Sequence, residues 1–306
     1  MPDTEPPPSH TRVIGILSAA YCGSTLVSIV LGRARRVLFT SEVFQIVRKG
    51  PGAIRCRTCA ERCPFWTPEF LGECRDAPDR YDRITDRART ALGCTHVVFK
   101  EGDWRVYDTA RRIGNRFDDY VLLMKRPAAY AYSCAVHEGL SVAESLDRYA
   151  KTYRGALGFI ERTGSSACVV FFDAFAEQPA IEAERLCRHV GIPYDDALVE
   201  LGWQPWMHPL ATGNAGAFAH LGSLRDFDAE VERDPYWRRV YQDRHIDWIR
   251  REHGRIAPDR KWEEGLSAAQ HDEVARHDDA NDVFASMLRL AGSADTSAGA
   301  PVPRSP

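Results

Sequence analysis

"VIGILSAAYCGSTLVSIVLG", residues 13–32, carries no charged side chain and is followed at once by "RARR". About 20 uncharged residues suffice to span a bilayer, and an arginine-rich flank suits a topological anchor. The middle, "SAAYCGST", argues the other way. It is small and polar where a single span is Leu-rich, and an isolated span has no neighbours to satisfy such groups. Divided there, the stretch becomes an apolar run typical of a buried parallel strand, "VIGIL", then a turn, then "TLVSIVLG", of helical length and ending at Gly32. Strand, loop and helix are therefore expected, with no membrane span.

The same alternation recurs along the chain. Strand-like runs stand at 96–99 ("HVVF"), 120–124 ("YVLLM") and 168–172 ("CVVFF"). Between and after them lie helical stretches. Residues 141–162 open on a Ser-x-x-Glu capping box at Ser141 and Glu144, and residues 178–191 have Pro179 near their start and Gly191 at their end. Strands alternating with long helices predict a three-layer α/β domain, with a mainly parallel central sheet covered on both faces. The Pro-rich residues 1–10 read as a disordered leader, 11–291 as one domain and the small, polar 292–306 as a disordered tail.

The chain has 306 residues, 44% of them hydrophobic, and 40 Lys+Arg against 43 Asp+Glu. That is ample for a core and leaves no overall basic field to attract nucleic acid, so a small-molecule partner is expected. The leader has no basic segment of the secretory kind, and the thiol content favours a reducing, cytoplasmic setting. Oligomeric state, including a homodimer, is left open by the sequence.

Two segments have the makings of anion sites. In "SAAYCGSTL" a strand end, a glycine turn and a helix opening on Ser24 and Thr25 converge free backbone N–H groups on one point, with two hydroxyls beside them. It is not a Walker A loop, because Gly15 and Gly23 are too far apart and no lysine follows Gly23. In "YVLLMKRPAAYAYS" (120–133) a buried strand ends in Lys125 and Arg126, Pro127 opens a helix, and Ser133 lies further along it.

Together these segments resemble the sulfotransferases that use 3′-phosphoadenosine 5′-phosphosulfate (PAPS). "YCGSTL" (21–26) is similar to that family's 5′-phosphosulfate loop from Gly23 onward, and "LLMKRPAAYAYS" to its 3′-phosphate segment. "VVFFDAFAEQPAIEAERLCRHVGIPYDD" (169–196) resembles its later strand, turn and helix, and "HPLATGN" (208–214) its late Gly-Asn segment. The likeness covers about 200 residues in order. It implies a P-loop NTPase-like sulfotransferase fold and donor binding by Tyr21, Cys22, Gly23, Ser24, Thr25, Leu26, Lys125, Ser133, Gly213 and Asn214. It also implies transfer of a sulfuryl group to a hydroxyl or amine of a small molecule, glycan or lipid. Glu42 occupies the place of the family's carboxylate base, with His137 and His208 as rivals, and Lys100, after the strand "HVVF", would join Ser24 and Thr25 around the transferring group. As an ordinary residue, Glu42 is the acid of a helix first turn capped by Thr40 or Ser41.

Three positions depart from the family pattern. Tyr21 stands where the loop has a cation, Lys125 replaces an arginine and loses its bidentate fork, and "AGAF" follows Asn214 where an arginine is usual. They motivate the alternative, a catalytically degenerate module that binds a nucleotide or a protein.

Of nine cysteines, Cys56, Cys59, Cys63 and Cys74 crowd into an insertion at about 50–78. Four thiolates suit a tetrahedral, structural zinc ion; disulfides or free thiols are the other readings, and the gaps match neither common ferredoxin spacing. The insertion could form a lid over the acceptor, with Phe65, Trp66 and Phe70 lining it or packing beneath.

Overall fold

The structure is a computed structural model that describes residues 8–40, 42–50, 63, 65–201, 228–229, 232–233 and 255–297. The opening stretch divides as expected into β1 (Arg12–Ser18), a loop, and α1 (Ser24–Gly32). At about 1.5 Å per residue, α1 falls well short of a bilayer's roughly 30 Å core. Among the described residues no helix is long and apolar enough to cross a membrane.

The chain continues through β2 (Val37–Thr40), α2 (Phe44–Lys49), α3 (Pro68–Asp76), α4 (Arg80–Leu92), β3 (His96–Glu101), α5 (Trp104–Arg112) and β4 (Asp119–Met124). Then come α6 (Pro127–Glu138), α7 (Val142–Thr163), β5 (Ser166–Phe171), α8 (Phe172–Glu177) and α9 (Pro179–Val190). The last elements are α10 (Lys261–Gly265), α11 (Ala268–Ala275) and α12 (Asp278–Ser297), which runs past residue 291. The five strands among the described residues are all parallel, in the order β2-β3-β1-β4-β5.

β1 lies inside the sheet and is buried on both faces, so it reads as a continuous apolar run rather than an alternating one. Val13 and Leu17 join one core with Phe99, Tyr107 and Tyr153, while Ile14 and Ile16 join a second with Val27, Val30 and Leu186. Those two cores are the interfaces of a three-layer α/β sandwich.

The helix signals at 141 and 191 act as read. Ser141 Oγ accepts the Glu144 N–H at 3.3 Å, the Glu144 carboxylate accepts the Ser141 N–H at 2.9 Å, and Gly191 caps α9 in the left-handed conformation. Gly32 ends α1, as read, and is also needed for packing. It is the last helical residue, and a side chain there would come within 2.6 Å of Phe39 Cβ on β2. β2 itself was not read from the sequence. Thr40 closes that strand, its Oγ1 donating to the Val98 carbonyl at 3.3 Å, rather than capping α2.

The described part of the Cys-rich insertion is packed. Phe65, Trp66 and Phe70 are all buried, and the Arg87 guanidinium sits 4.2 Å from the Phe70 ring centroid.

Candidate active site

Because every strand is parallel, Ser18, Thr40, Lys100 and Met124 come out at the same edge of the sheet, where ligands bind in open α/β folds. The loop after β1 is built by two left-handed residues, Tyr21 at φ 62° and Gly23 at φ 82°. Gly23 is required twice over, since a Cβ there would also lie 2.1 Å from the Phe172 ring. α1 has no side-chain cap, and its first-turn N–H groups have no acceptor within the helix. They converge on a candidate anion-binding point, which the positive end of the helix dipole would favour.

Tyr153 of α7 fixes this loop to the sheet. Its hydroxyl accepts the Ala19 N–H at 3.3 Å, donates to the Leu123 carbonyl at 2.8 Å and lies 3.2 Å from Cys22 Sγ. Cys22 is thus a buried packing thiol, raised in pKa first by that burial. Leu26 packs against the core under α1.

Lys100 joins the loop to the candidate base. Its Nζ donates to Thr25 Oγ1 at 3.3 Å and to Glu42 Oε1 at 3.1 Å, with the lysine side chain 11% exposed. Glu42 lies two residues before α2 rather than inside it, and Gln45 Nε2 donates to its other oxygen at 3.0 Å. Burial pushes the Glu42 carboxyl up, but Lys100 and Gln45 outweigh it, leaving the group below the ordinary carboxylate range. It is a carboxylate at neutral pH.

Two cavities meet at this point. One, of about 610 Å³, is walled by the loop with Ser24, Thr25, Lys100, Lys125 and Phe172. The other, of about 680 Å³, opens between α2, α4 and α5 and is walled by Phe44, Arg48, Arg80, Tyr81 and Arg105 among others. Tyr21 and Glu42 border both.

In the first cavity Lys125 is 6% exposed, lies 5.1 Å from the Phe172 ring centroid and donates to Asp259 Oδ2 at 3.2 Å. The other carboxylate oxygen of Asp259 is buried without a hydrogen-bond partner among the described residues. Asp259 and the neighbouring Lys261, which also lines the cavity, come from the chain's last third and were not read from the sequence. Ser133 does not line either cavity: it is buried in α6, its hydroxyl donating to the Ala129 carbonyl at 2.9 Å.

Tyr21 packs its ring against α6. Its ring stacks on His137 at 4.9 Å between centroids, and burial, then the adjacent Glu138 carboxylate, raise its phenol pKa. Glu138 in turn holds Arg148 of α7 at 2.6 Å, so a cation reaches the second cavity from an element unrelated to the loop. His137 lies behind Tyr21 on the last turn of α6 and lines neither cavity.

Glu101 is the buried acid that sequence reasoning passed over. It is 1% exposed, and its Oε1 accepts both the Tyr81 hydroxyl at 2.7 Å and the Phe44 N–H at 3.1 Å. It therefore anchors α4 and the start of α2 to the end of β3. Burial raises its carboxyl to about 8 despite those donors.

His208, Gly213, Asn214, Cys56 and Cys59 lie outside the described residues. Cys63 and Cys74 are both buried; Cys63 Sγ accepts the Trp66 N–H, and burial raises the Cys74 thiol to about 11. Among the described residues no group of three or more His, Cys, Asp or Glu is placed to hold a metal ion, and the seven described cysteines form no disulfide. Structural zinc therefore gains no support from the part of the cluster that is described.

No family model matches the chain, nor does any curated protein. Among solved structures, it is similar to the sulfotransferase domain of the Synechococcus PCC 7002 olefin synthase. The TM-score is 0.51 at 18% identity, over 69% of this chain and 84% of that one. The chain has a sulfotransferase-like α/β fold. More distant matches are the sulfotransferase domain of the curacin biosynthetic pathway (TM-score 0.45, 14% identity, 67% of this chain and 81% of that one) and a sulfotransferase from Alicyclobacillus acidocaldarius (0.40, 17%, 76% and 99%).

Proposed function

We propose that this protein is a sulfotransferase that moves a sulfuryl group from PAPS to a hydroxyl or amine of a small molecule, glycan or lipid. The observation that carries the reading is the meeting of the two cavities at Glu42. One is walled by an anion-binding loop and lysines, the other is large enough for an acceptor, and a carboxylate stands where they join. Ligand cavities commonly run from about 300 to 1,000 Å³, so both have suitable size.

In that reaction the acceptor oxygen forms a bond to sulfur as the bridging S–O bond breaks. The electron pair leaves on adenosine 3′,5′-bisphosphate, and the acceptor proton passes to Glu42. Lys100, Ser24, Thr25 and the first-turn N–H groups of α1 would hold the negative oxygens, and Lys125 would hold a phosphate. The fit to an anionic donor rests on these donors alone, since Tyr21 contributes no charge. The thiol-rich composition, nine cysteines in all, is in keeping with the reducing, cytoplasmic location that this reading proposes.

A second reading, a module that binds the nucleotide without turning it over, is favoured by Tyr21 in the loop and by Asp259 on Lys125. Calorimetry with adenosine 3′,5′-bisphosphate, followed by a labelled-sulfate transfer screen, separates the two. Binding with transfer supports the enzyme, and binding without transfer to any acceptor supports the second reading. No binding at millimolar concentration overturns both.

A further inference from the structure

The larger cavity carries a charge imbalance that its own ion pairs do not close. Its acids are Glu42, Glu101, Asp103 and Glu138, and its cations Arg48, Arg80, Arg105 and Arg148. Three acids are already engaged: Asp103 by Arg105 at 3.1 Å, Glu138 by Arg148 at 2.6 Å and Glu42 by Lys100 at 3.1 Å. Glu101 is sealed against Tyr81 and the Phe44 N–H, and with its carboxyl raised to about 8 by burial it is largely protonated at neutral pH.

Arg48 and Arg80 remain. Arg80 of α4 gives its Nε to the Cys74 carbonyl at 3.0 Å and its Nη2 to the Arg75 carbonyl at 3.4 Å, two of the five donors a guanidinium has. Neither Arg48 nor Arg80 has a carboxylate within ion-pair distance among the described residues. As helix-terminal arginines both have an ordinary structural use, Arg48 in the last turn of α2 and Arg80 against the end of α3. That use does not account for both lining one cavity. The same cavity exposes apolar side chains, Phe44 at 38% and Ile113 at 49%.

We propose that this cavity takes an amphiphilic, anionic acceptor: an apolar body bearing the nucleophilic hydroxyl at one end and a carboxylate or phosphate at the other, read by Arg48 and Arg80. The proposal rests on the transfer reading above. A guanidinium matches either oxyanion with paired N–H donors. Orientation follows from the arginines: the anionic end is drawn to Arg48 and Arg80, leaving the hydroxyl to approach Glu42.

The test measures binding to the full chain, with and without saturating adenosine 3′,5′-bisphosphate. The probes are 4-hydroxyphenylacetate, 3-(4-hydroxyphenyl)propionate and 4-hydroxybenzyl phosphate, each beside an uncharged counterpart: the amides of the two acids and 4-hydroxybenzyl alcohol. At least one anion should bind tenfold or more tightly than its neutral counterpart, with a preference that weakens with salt. Arg48→Met and Arg80→Met should each lose most of that preference while keeping nucleotide affinity; Arg48→Met should also keep the wild-type thermal midpoint, whereas Arg80→Met, which gives up its hydrogen bonds to the end of α3, should lower it. Comparison of the carboxylates with the phosphate identifies the favoured oxyanion. Equal affinity within every pair, no detectable binding of any anion at millimolar concentration, or a preference that survives both substitutions overturns the proposal. Anion preference in a chain that fails to bind the bisphosphate upholds this proposal's binding site and overturns the donor reading instead.

Discussion

Lys100 Nζ lies between Thr25 Oγ1 of the loop after β1, at 3.3 Å, and Glu42 Oε1, at 3.1 Å, tying the candidate anion point to the candidate base through one ammonium group. Lys100 stabilises Glu42 as a carboxylate, so the base is available through the neutral range but is a weak one. Glu42→Gln keeps an oxygen for Lys100 to donate to and removes the proton acceptor. Bisphosphate affinity should stay within about twofold, while turnover falls by about 10²- to 10⁴-fold. Calorimetry and labelled-sulfate transfer on the same preparation check both halves, and full turnover in the variant excludes Glu42 as base.

Lys100→Met separates the two roles of that lysine. It removes a cation from the anion point, for a loss of about 10²- to 10³-fold in turnover by analogy with other electrostatic stabilisers. It also removes the main charge that lowers the Glu42 carboxyl. The acid limb of the pH–rate profile should therefore move to higher pH in the variant. An unshifted limb would mean that another group supplies it.

Gly23→Ala tests the loop. The left-handed backbone costs an L-residue about 1–2 kcal/mol, and the new methyl would meet the Phe172 ring at 2.1 Å. The thermal midpoint should fall and bisphosphate binding weaken by tenfold or more. Phe172→Leu in the same chain relieves the contact but not the backbone, so partial recovery of affinity is expected. Full affinity in Gly23→Ala would show that the loop does not hold the anion.

The parts of this site that were legible in the sequence are those fixed by local pattern. A small polar break in an apolar run marked the loop between β1 and α1, and Lys100 and Lys125 were picked out as candidates because each follows an apolar run, "HVVF" and "YVLLM". α7 was announced by Ser141 and Glu144, three residues apart, whose capping box forms. What escaped depends on partners far along the chain. Lys125 meets Asp259 across 134 positions, and Glu101 meets Tyr81 across 20. No local pattern marks either pairing, and only the fold decides whether an acid two residues from a strand end faces water or is sealed. β2 escaped because its four residues carry no turn signal of their own, and Thr40, a good helix cap in isolation, closes the strand instead.

Asp259 bears on the nucleotide affinity that the proposed reaction requires. Its carboxylate holds Lys125 in the first cavity while its second oxygen is buried without a partner among the described residues, an arrangement that costs desolvation. A donor phosphate must compete with that carboxylate for the lysine. Asp259→Asn removes the competing charge, and the bisphosphate should bind several-fold more tightly, whereas Lys125→Met should weaken it about tenfold or more. Weaker binding in Asp259→Asn would mean that this residue holds the cavity in shape instead of contending for its cation.

Glu101 makes stability depend on pH in a direction opposite to that of a paired surface carboxylate. Its folded-state pKa of about 8 lies above its ordinary value near 4.5, so between those limits the folded chain holds a proton that the unfolded chain has released. Where the folded state binds more protons, unfolding free energy falls as pH rises. The contribution is therefore greatest at pH 4.5 and below, declines through the neutral range and is lost above pH 8. Glu101→Gln keeps an oxygen for the Tyr81 hydroxyl and the Phe44 N–H and cannot ionise. Its thermal midpoint should change less than the wild type's between pH 5 and 9, and the variant should be the more stable of the two at pH 9. Parallel midpoint curves for the two proteins would show that Glu101 does not titrate in that window.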